Sequence, residues 1–327
     1  MKLASRKAGG RDGQLVIVDR ALTRFVPVPT IAPTLQSALD HWKAVEPLLR
    51  EVANALELGK VADARPFDPR ECAAPLPRAY HWADASAYVN HVELVRKARG
   101  AEMPKSFWED PLIYQGGSDD LLGAHDAAKF VSEEHGIDLE AEVGVITDDV
   151  PMATPADQMA AHIQLIVLVN DWTLRNLVPG ELAKGFGFYQ SKPATGFSPV
   201  AVTPDELGPA WRDGKVHLPL ISHINGTLFG RPNAGVDMTF NFHQLLAHAA
   251  RTRRLGAGTL LGSGTISNVD RTAGSSCLAE RRTLEQIELG APKTPFLRFG
   301  DTVRIEMLDG QGHSIFGAIE QTVARAG

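Results

Sequence analysis

Asp138-Leu139-Glu140-Ala141-Glu142-Val143-Gly144-Val145-Ile146-Thr147 is the stretch on which the fold turns. It alternates and is rich in Val and Ile, the period-two pattern of a strand. In a strand, the spacing of Glu140 and Glu142 puts both carboxylates on one face. Two like charges on one face repel unless something positive lies between them. A solvated strand face is the ordinary alternative.

On the C-terminal side, 155–163 reads as helical and 166–171 as extended. The apolar run Leu165-Ile166-Val167-Leu168-Val169-Asn170-Asp171-Trp172 ends in a carboxylate. A bare buried carboxylate is costly, so Asp171 needs a partner, either Arg175 four residues on or a metal ion. On the N-terminal side, 84–99 reads as a helix, and 130–136 as a short connector. Seven residues are nearly two helical turns, which would set Asp84 and His91 on one face about 10 Å apart. The plainer readings are an N-cap for Asp84 and an amphipathic-helix histidine for His91.

The flanking sequence sets the class. Residues 2–7 and 14–19, around Arg11-Asp12-Gly13, predict an N-terminal β-hairpin. A helix is expected from Thr34, with Leu35, Leu39, Trp42, Leu49, Val52 and Leu56 at helical spacing and Gly59 as its C-cap. Prolines at 66, 69, 75 and 77 mark a boundary, giving a small domain over 1–75 and a large one over 76–327. Beyond residue 188, strand-like runs recur at 200–203, 216–220, 224–228, 236–240 and 303–307, interrupted by a helix over 242–254. Many short strands suggest a sandwich or barrel-like domain. The expected class is α+β, dominated by β.

Composition removes other classes. The chain has 327 residues, 44% apolar and 22% charged, which is ordinary globular composition. Its 33 Lys and Arg against 39 Asp and Glu leave a net charge of −6, a poor match to a nucleic-acid binder. Arg251, Arg253 and Arg254 read as a solvated helix end. Two cysteines make neither a disulfide framework nor a thiolate metal site, and no apolar run approaches a membrane span. With no apolar segment behind Met1, a cytoplasmic location is expected. No P-loop, HExxH or GxSxG occurs, and Leu261 breaks the one approach to GxGxxG.

Five segments, in this order, resemble the fumarylacetoacetate hydrolase family. They are Asp84 with His91; Asp138-Leu139-Glu140-Ala141-Glu142; Val169-Asn170-Asp171-Trp172-Thr173-Leu174-Arg175; Gly262-Ser263-Gly264-Thr265-Ile266-Ser267; and Phe296-Leu297-Arg298-Phe299-Gly300-Asp301-Thr302-Val303. The resemblance covers most of the chain. It implies a mixed β-sandwich or roll with a small N-terminal α+β domain, and a homodimer. It also implies one divalent ion among Asp84, Glu140, Glu142 and Asp171. All-oxygen ligation suits Mg²⁺ first, with Mn²⁺ or Ca²⁺ as alternatives.

By the same resemblance His91 activates water and Glu280 orients it. Glu285 is the neighbouring alternative, and a solvent-facing acid beside Arg281 and Arg282 is the plain reading of Glu280. Arg175 and Lys192 match cations that hold substrate oxygens and stabilise an oxyanion. Tyr114 and Thr265 match residues at the substrate, against core packing and turn chemistry. The implied reaction is hydrolysis of a C–C bond in a 1,3-diketo acid, fumarylacetoacetate or a related acylpyruvate. Decarboxylases, hydratases and isomerases on the same metal scaffold are the alternative, and a non-catalytic metal-stabilised scaffold is the second. One departure stands out. Where animal-type family members carry a glutamine three residues after the arginine, this chain has Val178. Either Gln190 or Lys192 replaces that donor, or the substrate differs.

Overall fold

The computed structural model describes residues 1–97 and 103–327. Its backbone is an eleven-stranded sheet and a five-stranded sheet, with helices at the margins. Across the large sheet the strands run Arg65–Pro66, Arg24–Pro27, Gln14–Val18, Lys2–Arg6, Ala201–Val202, Ile163–Asn170, Ala141–Thr147, Thr259–Gly262, His81–Ala85 and Ile113–Gly116, and Gly196–Phe197 pairs with Ile163–Asn170. The small sheet runs Thr227–Gly230, Leu220–Ile224, Thr302–Met307, Ile319–Arg325 and Ala128–Phe130.

The alternation of Ile163–Asn170 explains the layers. Leu165, Val167 and Val169 join one core with Leu3, Leu15, Ile17 and the helical Leu35, Leu39, Leu49 and Leu56. Ile166 and Leu168 join the other, with Val143, Val145 and the small-sheet residues Ile305, Met307, Ile319 and Val323. A strand buried on both faces thus divides two apolar layers. The sandwich expectation holds, in α+β form with strands dominant. The N-terminal hairpin forms as expected, and Lys2–Arg6 also pairs with Ala201–Val202, so these strands extend the same sheet.

Several expectations change. The helix from Thr34 forms as two pieces, Leu35–Asp40 and Trp42–Glu57, parted at His41, whose φ of −128° is not helical. Thr34 caps the first. The run 224–228 is a turn at Asn225-Gly226 between Leu220–Ile224 and Thr227–Gly230, with positive φ at both turn residues. Residues 236–240 form no strand, and the helix from Phe242 ends at Ala249.

The helix expected over 84–99 is the main correction. Asp84 lies on the strand His81–Ala85, and the helix is Val89–Lys97. Arg99 lies outside the described residues. The strand is flanked by Thr259–Gly262 on one side and Ile113–Gly116 on the other, and tertiary pairing overrides the local pattern. No helix among the described residues is long and apolar enough to cross a membrane.

Candidate active site

Three strands bring the acids together. Asp84 is near the end of His81–Ala85, Glu142 lies in Ala141–Thr147, and Asp171 follows Ile163–Asn170. Oxygens of Asp84, Glu142 and Asp171 all lie within 4.8 Å of one another, and all three residues are buried. Gly262 pairs with Asp84 on one side and Gly144 on the other. A Cβ on Gly262 would lie 2.4 Å from Asp84 Oδ1 and 3.0 Å from Glu142 Oε2, so its lack of a side chain leaves the carboxylates their room. Gly264, at φ +75°, donates its amide to Asp84 Oδ1 at 2.9 Å. That left-handed conformation suits glycine.

Neither oxygen of Glu142 meets a hydrogen-bond donor among the described residues. Burial, then the charge of Asp171, pushes Asp84 up to about 8. Burial and Asp84 hold Glu142 well above the usual carboxylate range. A buried set of three carboxylates in which both oxygens of Glu142 lack a donor fits a hard divalent cation.

Glu140 stands beside this trio in a different environment. Its Oε1 accepts from Arg175 Nη2 at 2.6 Å, and its Oε2 accepts from Lys192 Nζ at 2.5 Å. Burial would raise its pKa, but Arg175 and Lys192 outweigh burial and hold it below the carboxylate range. Lys192 also donates to Asp171 Oδ2 at 2.6 Å. Tyr114 Oη donates to the same oxygen at 2.6 Å, and Thr195 to Oδ1 at 2.9 Å. The Lys192 ammonium lies 5.2 Å from the Tyr114 ring centre, and the Phe188 ring packs edge-on to Tyr114 at 5.4 Å. Thr265 is buried directly after Gly264. Gln190, the other candidate for the missing donor, is exposed, and its backbone N–H donates to Glu181 Oε1 at 2.7 Å.

His91 and Glu280 meet across a long sequence gap. His91 Nδ1 is 2.7 Å from Glu280 Oε2, and the Glu280 side chain is 0% exposed. A carboxylate facing Nδ1 favours the proton there and leaves Nε2 as the basic nitrogen. Burial raises the Glu280 carboxyl, but His91, with Ser267 and Arg271, outweighs it and the net direction is down. Arg271 Nη1 lies 3.7 Å from the other oxygen. Glu280 is in the first turn of the helix Leu278–Leu289 and points inward, unlike its neighbour Arg281, which pairs with Glu285 at 3.3 Å. Glu285 instead accepts the amides of Lys293 and Thr294.

Two contributors carried no assignment in the sequence reading. Asp138 accepts from Arg175 Nε at 2.7 Å and from the amides of Leu278 and Ala279 at 2.7 and 2.9 Å. Its signal was its place as the first acid of Asp138-Leu139-Glu140-Ala141-Glu142. Thr195 had no local signal; only the fold carries it to Asp171.

The fumarylacetoacetate (FAA) hydrolase C-terminal family model matches residues 80–324. The chain belongs to the fumarylacetoacetate hydrolase family. The fumarylacetoacetase N-terminal domain 2 model matches residues 1–78. The fumarylacetoacetase of Aspergillus fumigatus is 28% identical over 204 residues, 53% of this chain and 47% of that protein. The chain therefore spans about half the length of that curated relative.

Among solved structures, the fumarylacetoacetate hydrolase of Exiguobacterium antarcticum superposes with a TM-score of 0.67 at 16% identity, covering 100% of both chains. The maleylpyruvate hydrolase of Sphingobium sp. SYK-6, in complex with manganese(II) and pyruvate, superposes with a TM-score of 0.65 at 14% identity, again over 100% of both chains. At these identities the likeness is one of fold. The buried trio of a fumarylacetoacetate hydrolase family member could hold a metal ion, and a structural neighbour contains Mn(II).

Proposed function

We propose that the chain is a divalent-cation-dependent hydrolase that cleaves a C–C bond in a 1,3-diketo acid, fumarylacetoacetate or a related acylpyruvate. The observation that carries this reading is the His91–Glu280 pair, 2.7 Å apart, with His91 on the helix that follows the Asp84 strand and Glu280 on the helix Leu278–Leu289. A scaffold needs the acids but has no use for a histidine backed by a buried carboxylate.

A divalent ion, Mg²⁺ or Mn²⁺, held by Asp84, Glu142 and Asp171 with Glu140 adjoining, would supply Lewis acidity and orient a chelating pair of substrate oxygens. The chain's own groups do the rest. His91 Nε2 takes a proton from water, and Glu280 holds the ring and stabilises its charge. The water oxygen adds to a substrate carbonyl, and the oxyanion lies against the cations Arg175 and Lys192. The C–C bond breaks as the carbonyl re-forms. The departing carbon leaves as an enolate and takes the proton back from His91. One water is consumed, and the products are a carboxylic acid and an oxo acid: fumarate and acetoacetate from fumarylacetoacetate, or a carboxylic acid and pyruvate from an acylpyruvate. Tyr114 and Thr265 border the substrate. With Val178 at the position of the family glutamine, Gln190 or Lys192 replaces that donor, or the substrate differs.

The test is loss of the enol–diketone absorbance of fumarylacetoacetate and a set of acylpyruvates, with and without Mg²⁺ or Mn²⁺. Cation-dependent cleavage is expected, reduced on the order of 100–10,000-fold in His91→Ala, the contribution typical of a general base. If the cation-loaded wild type cleaves no diketo acid, the reading fails.

A further inference from the structure

We propose that Asp138 is a positioning residue that ties the oxyanion cation Arg175 and the histidine-orienting Glu280 into one unit. The inference deepens the proposed function and rests on its reading of His91, Glu280 and Arg175.

The helix Leu278–Leu289 carries Glu280 in its first turn. Its own N-cap is Cys277, whose Sγ accepts the Glu280 amide at 3.4 Å. A thiol is a weak acceptor. The stronger acceptor comes from another element. Asp138 Oδ1 takes the Leu278 amide at 2.7 Å, and Oδ2 takes the Ala279 amide at 2.9 Å. A carboxylate against the free first-turn amides is favoured by both hydrogen bonding and the helix dipole. Residue 280 is the next along that turn, so the carboxylate that anchors the helix start also sets where Glu280 meets His91.

The same carboxylate faces the other way as well. Oδ2 accepts from Arg175 Nε at 2.7 Å, while Arg175 Nη2 reaches Glu140 at 2.6 Å. Asp138 is 0% exposed, so no water substitutes for these partners. Main-chain pairing fixes it further, with Asp138 opposite Thr173 and Ile137 opposite Leu174. One side chain thus holds both halves of the catalytic arrangement with its two oxygens. Asparagine does not reproduce this, because its amide group would present N–H donors to a donor partner. A buried group that orients reacting residues through one intermediate commonly matters 10–100-fold.

The experiment compares wild-type protein with Asp138→Asn and the smaller Asp138→Ser. The primary readout is the ¹⁵N-edited spectrum of the histidine rings, with His91 assigned by a His91→Gln variant. Linkage through Asp138 predicts that the His91 Nδ1–H resonance shifts or exchanges away in both variants while the fold is retained by circular dichroism. Asp138→Ser keeps one hydroxyl acceptor, so it preserves a measurable protein if Asp138→Asn does not fold. On a cleaved diketo acid, kcat falls on the order of 10–100-fold in Asp138→Asn. The same substitution made on top of Glu280→Gln costs much less than it does in wild type, because the two act through one unit.

Unchanged His91 ring resonances in a folded Asp138 variant would overturn the proposal, as would full multiplicativity with Glu280→Gln. The spectrum needs no substrate. If wild type cleaves no diketo acid, the functional reading fails and the spectrum still decides the linkage.

Discussion

Two parts of one carboxylate cluster end in opposite electrostatic states. Among the described residues, Asp84 and Glu142 have no cation in hydrogen-bond contact; burial and then the charge of Asp171 push Asp84 up to about 8, and burial with the charge of Asp84 raises Glu142. Glu140, equally buried, touches Arg175 and Lys192 and is driven below the carboxylate range. The residues are of one chemical kind and two of them are two positions apart. Their partners decide whether they hold a proton. Side chains neutralise Glu140, whereas Asp84 and Glu142 meet no side-chain cation, as a site that could hold an external ion requires.

The strongest way to break this comparison is to remove the shared cation. Lys192→Met leaves Glu140 and Asp171 each short of a buried partner, and loss of about 3–5 kcal/mol is expected in chemical denaturation. A wild-type midpoint would show that the Lys192 contacts do not hold the cluster.

A second effect sharpens the contrast through pH. A carboxyl whose folded pKa is raised keeps a proton that the unfolded chain has released. In the metal-free protein, stability contributed by protonated Asp84 and Glu142 is therefore present at low pH. It is lost as pH rises from the ordinary carboxylate range toward about 8. Glu140 has the opposite sign, and its contribution is lost only in acid. Melting temperatures of chelator-treated protein between pH 5 and pH 8 should fall with rising pH, and less so in Glu142→Gln.

The smallest effect is the proton count of metal uptake. Mn²⁺ titrated at pH 7 should release about one to two protons, read from calorimetry in buffers of different ionisation enthalpy. No release would mean that Asp84 and Glu142 are already ionised.

Much of the fold was legible in the sequence. The period-two run around Glu142, the double-sided apolar run before Asp171 and the N-terminal hairpin each form where the pattern predicts. The strand holding Asp84 was not legible. Trp82-Ala83-Asp84-Ala85 is short, is buried nearly throughout, and is paired on both edges by chain far away. Such a strand shows no alternation to read. The seven-residue interval between Asp84 and His91 was therefore correct as a spacing and wrong as a helical face. The two residues are joined by a strand, a turn and the start of a helix.

The candidate site divides along the same line. Asp84, Glu140, Glu142, Asp171, Arg175 and Lys192 were nominated by the family resemblance, and the structure brings all of them together. Glu280 was separable from Glu285 only by the fold, because both lie on one helix and only one faces His91. Asp138 and Thr195 belong to the site through contacts that join distant parts of the chain.

The set of four acids and the glycines beside it came from the resemblance of five ordered segments, while residue identity and spacing were enough for the strand-rich class and for placing Glu140 and Glu142 on one strand. Those properties are local, set by side-chain chemistry and by the two-residue and 3.6-residue periods of the backbone. Which carboxyls are pushed upward, which cation meets which carboxylate and which glutamate lies against His91 are set by the tertiary structure. Proton affinity and hydrogen bonding depend on burial and on distances of a few ångströms between segments far apart in the chain.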